Sequence, residues 1–341
     1  MLKVRLCIGY SGGLDSQVLL HLLAQTRELL PEITIEAIHV HHGLHPEANE
    51  WVRHCETSCA ALSIPLTVIR VNPRDYPDLS PEAAARAARY AAFQTHFDDA
   101  GKAEKTVLVL AHHLDDQLET MLHRLCRGTG VLGLAGMSVW TEPSSVLSAK
   151  IFRPFLAMGL DKTSLEQLAK TMQLSWIEDS SNADLRFDRN FIRQEIVPRL
   201  KSRWPEVATA ANRTAALCRE ITQATAKSAK NGLAAVQYDP NTATLDEKAI
   251  SLEEKWDKVA ITTSLSVKKM LAFASKERRD ILRVWLQEKG LYVPGFEQLA
   301  RLEREVLAAA SGRKPRLKIG DYVIARWRDR LFVYKAEGAL V

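Results

Sequence analysis

Tyr10-Ser11-Gly12-Gly13-Leu14-Asp15-Ser16 is the stretch on which the fold of this chain turns. It follows an apolar run over residues 4–10. It opens a segment over 16–30 whose Val18, Leu19, Leu22 and Leu23 recur at helical spacing. Two adjacent glycines let a backbone approach an anion closely, and consecutive N–H groups form a nest for phosphate oxygens. The helix N-terminus that follows adds its partial positive charge. The hydroxyls of Ser11 and Ser16 can donate to the same oxygens, whereas Asp15, itself an anion, suits a bridging Mg2+. A Gly-Lys-Ser/Thr ending and a Gly-x-Gly-x-x-Gly spacing are both missing, so neither a Walker loop nor a dinucleotide fingerprint is present. A Ser/Gly turn with an acidic helix cap is the plain alternative. Six suitable residues between a strand and a helix favour phosphate.

Outward from this loop, strand-like runs at 4–10, 33–39, 66–71 and 106–111 alternate with helical patterns at 16–30, 47–62, 81–100 and 115–126. Such alternation predicts parallel strands with right-handed crossovers, a Rossmann-like doubly wound α/β sheet. Ligands sit at the C-terminal strand ends of such sheets. Residues 11–16, 39–45 and 112–116 all fall there. Beyond residue 191 the pattern changes. Residues 195–235 and 265–311 read as helical, 237–244 as a turn or linker, and 317–334 as two strands around Trp327-Arg328-Asp329-Arg330. The expected organisation is a phosphate-binding catalytic domain over 1–200, a helical linker over 201–244, and a smaller α+β domain over 245–341.

The 341 residues suffice for two domains, and 46% hydrophobic with 26% charged residues is an ordinary globular composition. No apolar run approaches the roughly 20 residues a membrane span needs, and no export signal is visible. Five scattered cysteines without a Cys-x-x-Cys pair point to a reducing compartment, the cytoplasm. Cys55 and Cys59, one helical turn apart, read as small apolar residues rather than metal ligands. Residues 265–341 hold 17 Lys and Arg against 9 Asp and Glu, a net +8; the chain total of +5 leaves −3 elsewhere. A basic C-terminal part on a slightly acidic body suggests that one part holds a polyanion and another does chemistry.

Further blocks carry chemistry of their own. Asp116 and Glu119 share a helix face, where two carboxylates can hold an ammonium group. Acidic capping of the helix N-terminus is the competing account. Arg86 and Arg89 lie on one face with Glu82 a turn earlier, ready for phosphate or carboxylate, or simply a surface pair. His39, His41, His42 and His45 lack further ligands at tetrahedral spacing, so lining a nucleotide site is preferred to zinc. Lys268, Lys269, Arg278, Arg279, Lys314, Arg316, Arg326, Arg328 and Arg330 could track nucleic-acid phosphates, with Trp327 for stacking.

Ser11-Gly-Gly-Leu-Asp-Ser16 resembles the PP-loop of the N-type ATP pyrophosphatases, which split ATP into AMP and pyrophosphate and adenylate a substrate oxygen. Other blocks resemble the tRNA(Ile)-lysidine synthetase family. They are residues 39–44, Glu82 to Arg86 with Arg89-Tyr90, 112–120, Arg127-Gly-Thr-Gly130, Arg153-Pro154, 176–179 with Asn182, and 188–193. The resemblance implies ATP with Mg2+, free L-lysine and a CAU-anticodon tRNA(Ile) as reactants. The wobble cytidine is adenylated at C2, lysine displaces AMP, and decoding changes from AUG to AUA. It implies that Ser11, Gly12, Gly13, Leu14, Asp15, Ser16, His39 and His112 bind ATP, with Asp15 and Asp115 on the metal. Asp15, Asp115, Asp116 and Glu119 are then catalytic, and Arg86, Arg89, Asp116 and Glu119 hold lysine. Arg127, Asn190 and Arg193 give support, and the basic C-terminal residues contact tRNA. Many family members continue past the equivalent of residue 335 into a second C-terminal domain; this is either a short natural form or a truncated sequence, and weaker tRNA affinity and selection are the expectation. A homodimer is compatible with all of this. The rival readings are a PP-loop tRNA thiolase, whose family usually carries a cysteine pair, and a non-enzymatic nucleotide or tRNA binder.

Overall fold

Val4–Gly9 forms β1, an inner strand of a six-stranded sheet in which β2 (Ile33–His41), β3 (Leu66–Arg70), β4 (Lys105–Val109), β5 (Trp140–Thr141) and β6 (Lys150–Phe152) take the order β3-β2-β1-β4-β6-β5. The computed structural model describes residues 4–99, 105–144, 146–238, 264–310 and 315–335. All pairings in this sheet are parallel except β5 on β6. Alternate side chains serve opposite faces. Ile8, Val107 and Val109 pack with Val18 and Leu19 of α1 (Leu14–Thr26) and Cys55 and Cys59 of α2 (Ala48–Ala61). Cys7 and Leu108 pack with Phe93 and Phe97 of α3 (Pro81–Asp99). Burial on both faces explains why these strands read as near-continuous apolar runs.

The four expected strands and their helices are present, with α4 at Leu114–Cys126. β5 and β6, two and three residues long, are too short to leave a periodic signal. Five further helices follow: α5 (Val131–Leu134), α6 (Pro154–Met158), α7 (Lys162–Thr171), α8 (Asp188–Phe191) and α9 (Val197–Arg203). Between the last two, Ile192–Ile196 takes a wider π turn. Pro198 has no N–H to offer the carbonyl of Gln194, so the ordinary ladder is interrupted there.

The chain divides into two compact units, Met1–Arg219 and Glu220–Val341. The division falls within the helix α10 (Val207–Val236), which occupies most of the span expected to be a linker. Ala208 joins a core of the first unit, and Ala229, Leu233 and Val236 join that of the second. Of the expected turn over 237–244, residues 239–244 lie outside the described residues. The second unit contains β7 (Leu265–Ser266), α11 (Val267–Leu271), α12 (Ser275–Glu288), α13 (Phe296–Leu302), β8 (Arg316–Ile319), β9 (Tyr322–Trp327) and β10 (Arg330–Lys335). Its strands pair antiparallel in the order β7-β10-β9-β8 around buried Trp285 and Tyr322. Three strands therefore occupy the region expected to hold two. Gly320, at φ +60, supplies the extra turn. Among the described residues, no helix is long and apolar enough to cross a membrane.

Candidate active site

The sheet order reverses at β1: β2 and β3 extend to one side of it, β4 to the other. Loops leaving the C-terminal ends of β1 and β4 diverge there, opening a crevice. A cleft of about 1010 Å3 occupies this place, lined by Ser11, Gly13, Leu14, Asp15 and Ser16 after β1 and by His112 and Asp116 after β4.

The loop after β1 is held by its own hydroxyls. Ser11 N–H donates to Ser16 Oγ at 3.2 Å, Gly13 N–H to Ser11 Oγ at 3.3 Å, and Ser16 Oγ to the Gly13 carbonyl at 3.0 Å. Gly12 sits at φ +82, and a Cβ there would come within 2.5 Å of Ile177 Cδ1 and 2.9 Å of Cys55 Sγ. Only glycine fits, on both conformational and steric grounds. Gly12 itself does not line the cleft; its carbonyl accepts from Ile177 N–H at 3.0 Å, pinning the loop from behind. Gly13 caps α1 without a capping side chain. This leaves the helix N-terminus beside the cleft.

Asp15 reaches a cation within the protein, with Lys162 Nζ 2.8 Å from its Oδ1. Burial pushes its pKa up, but His113 and Lys162 outweigh this and hold it below the ordinary carboxylate value. Lys162 also lines the cleft, and nothing in its local sequence distinguishes it from a surface lysine at a helix start.

The acidic block of α4 separates into three roles. His113 caps the helix: its Nδ1 accepts from Asp115 N–H at 3.2 Å, while Asp116 Oδ2 accepts from His113 N–H at 3.1 Å. Asp116 thus combines capping with a place in the cleft wall. Burial raises its pKa, but His113, His112, Arg189 and Arg193 drive it well below the usual range. Asp115 does not line the cleft. Lys162 N–H donates to its Oδ2 at 2.7 Å and Lys201 Nζ to its Oδ1 at 2.8 Å, so its carboxylate ties α4 to α7 and α9. In this arrangement both its oxygens are engaged within the fold, and it stands back from the cleft where a metal was expected. Glu119 is 1% exposed and lies behind the lining. Arg193 grips both its oxygens and Arg189 Nε donates to Oε2 at 3.2 Å. Both its oxygens are engaged by arginines in this arrangement, whereas its expected partner Asp116 lines the cleft.

The remaining expected residues fall on either side of this boundary. His39, Arg86, Arg89, Asn190 and Arg193 line the cleft. His39 Nδ1 lies 3.0 Å from the Tyr10 carbonyl, tying β2 to the loop. Arg86 donates to Tyr90 Oη at 3.3 Å. Arg127 is exposed at the end of α4 and does not line the cleft. Arg189, within the 188–193 block but given no role of its own from the sequence, lines the cleft and also pairs with Glu82 at 3.8 Å.

In the C-terminal unit, Lys268, Lys269 and Arg316 are exposed. Arg278 and Arg279 instead converge on Glu303, with Arg278 Nε 2.6 Å and Arg279 Nη1 3.0 Å from it. Arg326 donates to the carbonyls of Leu307, Ala309 and Arg328. These three arginines are therefore at least partly engaged within the unit, unlike Lys268, Lys269 and Arg316. Arg328 lies over the Trp327 ring at 4.7 Å and Arg330 over Tyr238 at 4.0 Å. Lys314 lies outside the described residues.

Comparison with known proteins follows the same division. A model of the PP-loop domain matches residues 2–200, and a model of the TilS substrate binding domain matches 265–332. The tRNA(Ile)-lysidine synthase of Serratia proteamaculans is 40% identical over 328 residues, 96% of this chain and 68% of that protein. The chain belongs to the tRNA(Ile)-lysidine synthase family. The corresponding synthase of Yersinia pseudotuberculosis is 41% identical over 96% of this chain, which spans 65% of that relative's length. Among solved structures, the U34-tRNA thiolase NcsA from Methanococcus maripaludis superposes with a TM-score of 0.53 at 16% identity, over 64% of this chain and 74% of that one. At that identity the likeness is one of fold alone.

Proposed function

We propose that the protein ligates lysine to C2 of the wobble cytidine of a CAU-anticodon tRNA(Ile), through an adenylated cytidine, at the expense of ATP. The observation that supports this best is the convergence of the Ser11–Ser16 loop, Asp15 and Asp116 on one cleft at the sheet's switch point. Loop N–H groups and the α1 N-terminus would hold the phosphate tail of ATP. His39 and His112 line the same nucleotide region.

Asp15 is the residue that fits Mg2+, because it lines the cleft beside the loop, where the phosphate tail would lie. The ion would neutralise charge growing on pyrophosphate. The C2 carbonyl of cytidine is a poor electrophile, and esterification with AMP gives it a leaving group. Lysine must attack as a free amine, which partial desolvation in the cleft favours. Arg86 or Arg89 would take its carboxylate, and Asp116, rather than Glu119, its amino end. Lys268, Lys269 and Arg316 of the C-terminal unit would meet tRNA phosphates. A tRNA substrate places the reaction in the cytoplasm.

The thiolase alternative is weaker: no cysteine lines the cleft among the described residues. The deciding assay combines the folded chain with ATP, Mg2+, labelled lysine and CAU-anticodon isoleucine tRNA. Label should enter the tRNA with matching release of AMP and pyrophosphate. A preparation that binds ATP yet incorporates no label would refute the proposal.

A further inference from the structure

Arg153 does not line the main cleft, but it fixes a residue that does. It is 4% exposed, between β6 and α6. Its Nη1 donates to the Ser138 carbonyl at 2.7 Å and to Thr141 Oγ1 at 2.9 Å, and its Nε donates to His112 Nδ1 at 3.2 Å. A guanidinium has donors only and does not lose its proton in proteins. His112 Nδ1 must therefore present its lone pair, and the single proton of the neutral ring sits on Nε2. A second proton, on Nδ1, would break the bond and set an imidazolium against a guanidinium.

We propose that Arg153 is a positioning residue that holds His112 as an uncharged Nε2–H donor at the cleft. The other charged groups acting on the ring are Asp116, Arg189 and Arg86. Asp116 favours a second proton; the two arginines, with Arg153, oppose it. Burial acts in the same direction as the arginines, and the ring's pKa is pushed down to about 3. The consequence rests on the ligase reading above. An imidazolium in the cleft is an acid that would protonate the attacking lysine amine. A neutral N–H can instead bond a nucleotide or carbonyl oxygen without surrendering its proton.

The intact chain labelled with 15N-histidine tests this, with His112 assigned by comparison with His112→Asn. The ring should show a protonated Nε2 and an unprotonated Nδ1, unchanged from about pH 5 to pH 8. Arg153→Met should restore a tautomer mixture and a titration within that range. Its turnover, measured as lysine incorporation into tRNA, should then lose about tenfold in kcat per pH unit below the new pKa. A wild-type ring that is protonated on Nδ1, or that titrates between those limits, overturns the proposal without reference to any variant. So does an Arg153→Met ring that titrates while the pH profile stays that of the wild type. If the wild-type spectrum is as expected but no substrate set releases pyrophosphate, the ligase reading fails and the tautomer assignment stands.

Discussion

Arg193 closes a bidentate pair on Glu119, its Nε 2.7 Å from Oε1 and its Nη2 2.8 Å from Oε2. The carboxylate that the sequence offers as a substrate ligand is thus an internal anchor, holding two guanidinium groups at the cleft wall. Removing it in Glu119→Ala takes away the shortest carboxylate contact of Arg189 and Arg193 and leaves them only the longer ones to Asp116 and Glu82. A loss of about 2–3 kcal/mol is expected, below the value for a fully buried pair because the Arg193 side chain is 40% exposed. Urea unfolding measures it; a change under about 0.5 kcal/mol would show that the anchor carries no weight.

Asp15 and Asp115 should behave as different kinds of residue despite their shared chemistry. Asp15→Asn should abolish pyrophosphate release, with a loss of stability of about 1 kcal/mol or less from its weakened contacts with Lys162 and His113. Asp115→Asn weakens the Lys201 contact and should lower stability by about 1–2 kcal/mol, with KM for ATP within about twofold of wild type. The two variants compared by denaturation and steady-state kinetics separate fold from site.

Gly12→Ala places a methyl group against Ile177 and Cys55 at a backbone angle that L residues avoid. The loop must shift, and ATP affinity by calorimetry should fall at least about tenfold. The circular dichroism of the sheet should be retained. Unaltered affinity would mean that the loop does not hold the nucleotide.

Acid should destabilise the protein well before its carboxylates titrate. Burial pushes the pKa of His42 down to about 4, helped by Arg89, and that of His112 to about 3, against an ordinary value of 6.5. Between these limits the unfolded chain binds more protons than the folded one, so stability rises with pH across the window and is lost as pH falls below about 6.5. Urea midpoints measured from about pH 7 to pH 4 should decline throughout. His42→Asn should shallow the slope.

Lys268→Ala, Lys269→Ala and Arg316→Ala should weaken tRNA binding, each lowering the salt slope of log K by about 0.9 if it meets one phosphate of a duplex. Arg326→Ala should instead reduce stability, because its donors serve backbone carbonyls. Filter binding at several salt concentrations, beside thermal melts, distinguishes the two groups.

The sequence by itself determined four of the six strands of the first sheet, and the loop. Apolar runs of four strands, each followed by a helical period, leave only parallel crossovers, and Gly12 and Gly13 at the end of the first run admit little besides a close anion. Those are local properties, written in residue order. What each carboxylate and arginine of the site does was decided by the tertiary structure alone. Asp115, Asp116 and Glu119 lie within one helical turn and a half, yet one ties helices together, one faces the cleft and one grips arginines some 70 residues away. Lys162 carries no local mark of its role, and the blocks that hold Arg153 and Arg189 do not say which partners those arginines take. A side chain's chemistry is fixed by its sequence, but whether its polar atoms remain free depends on partners that only folding brings near.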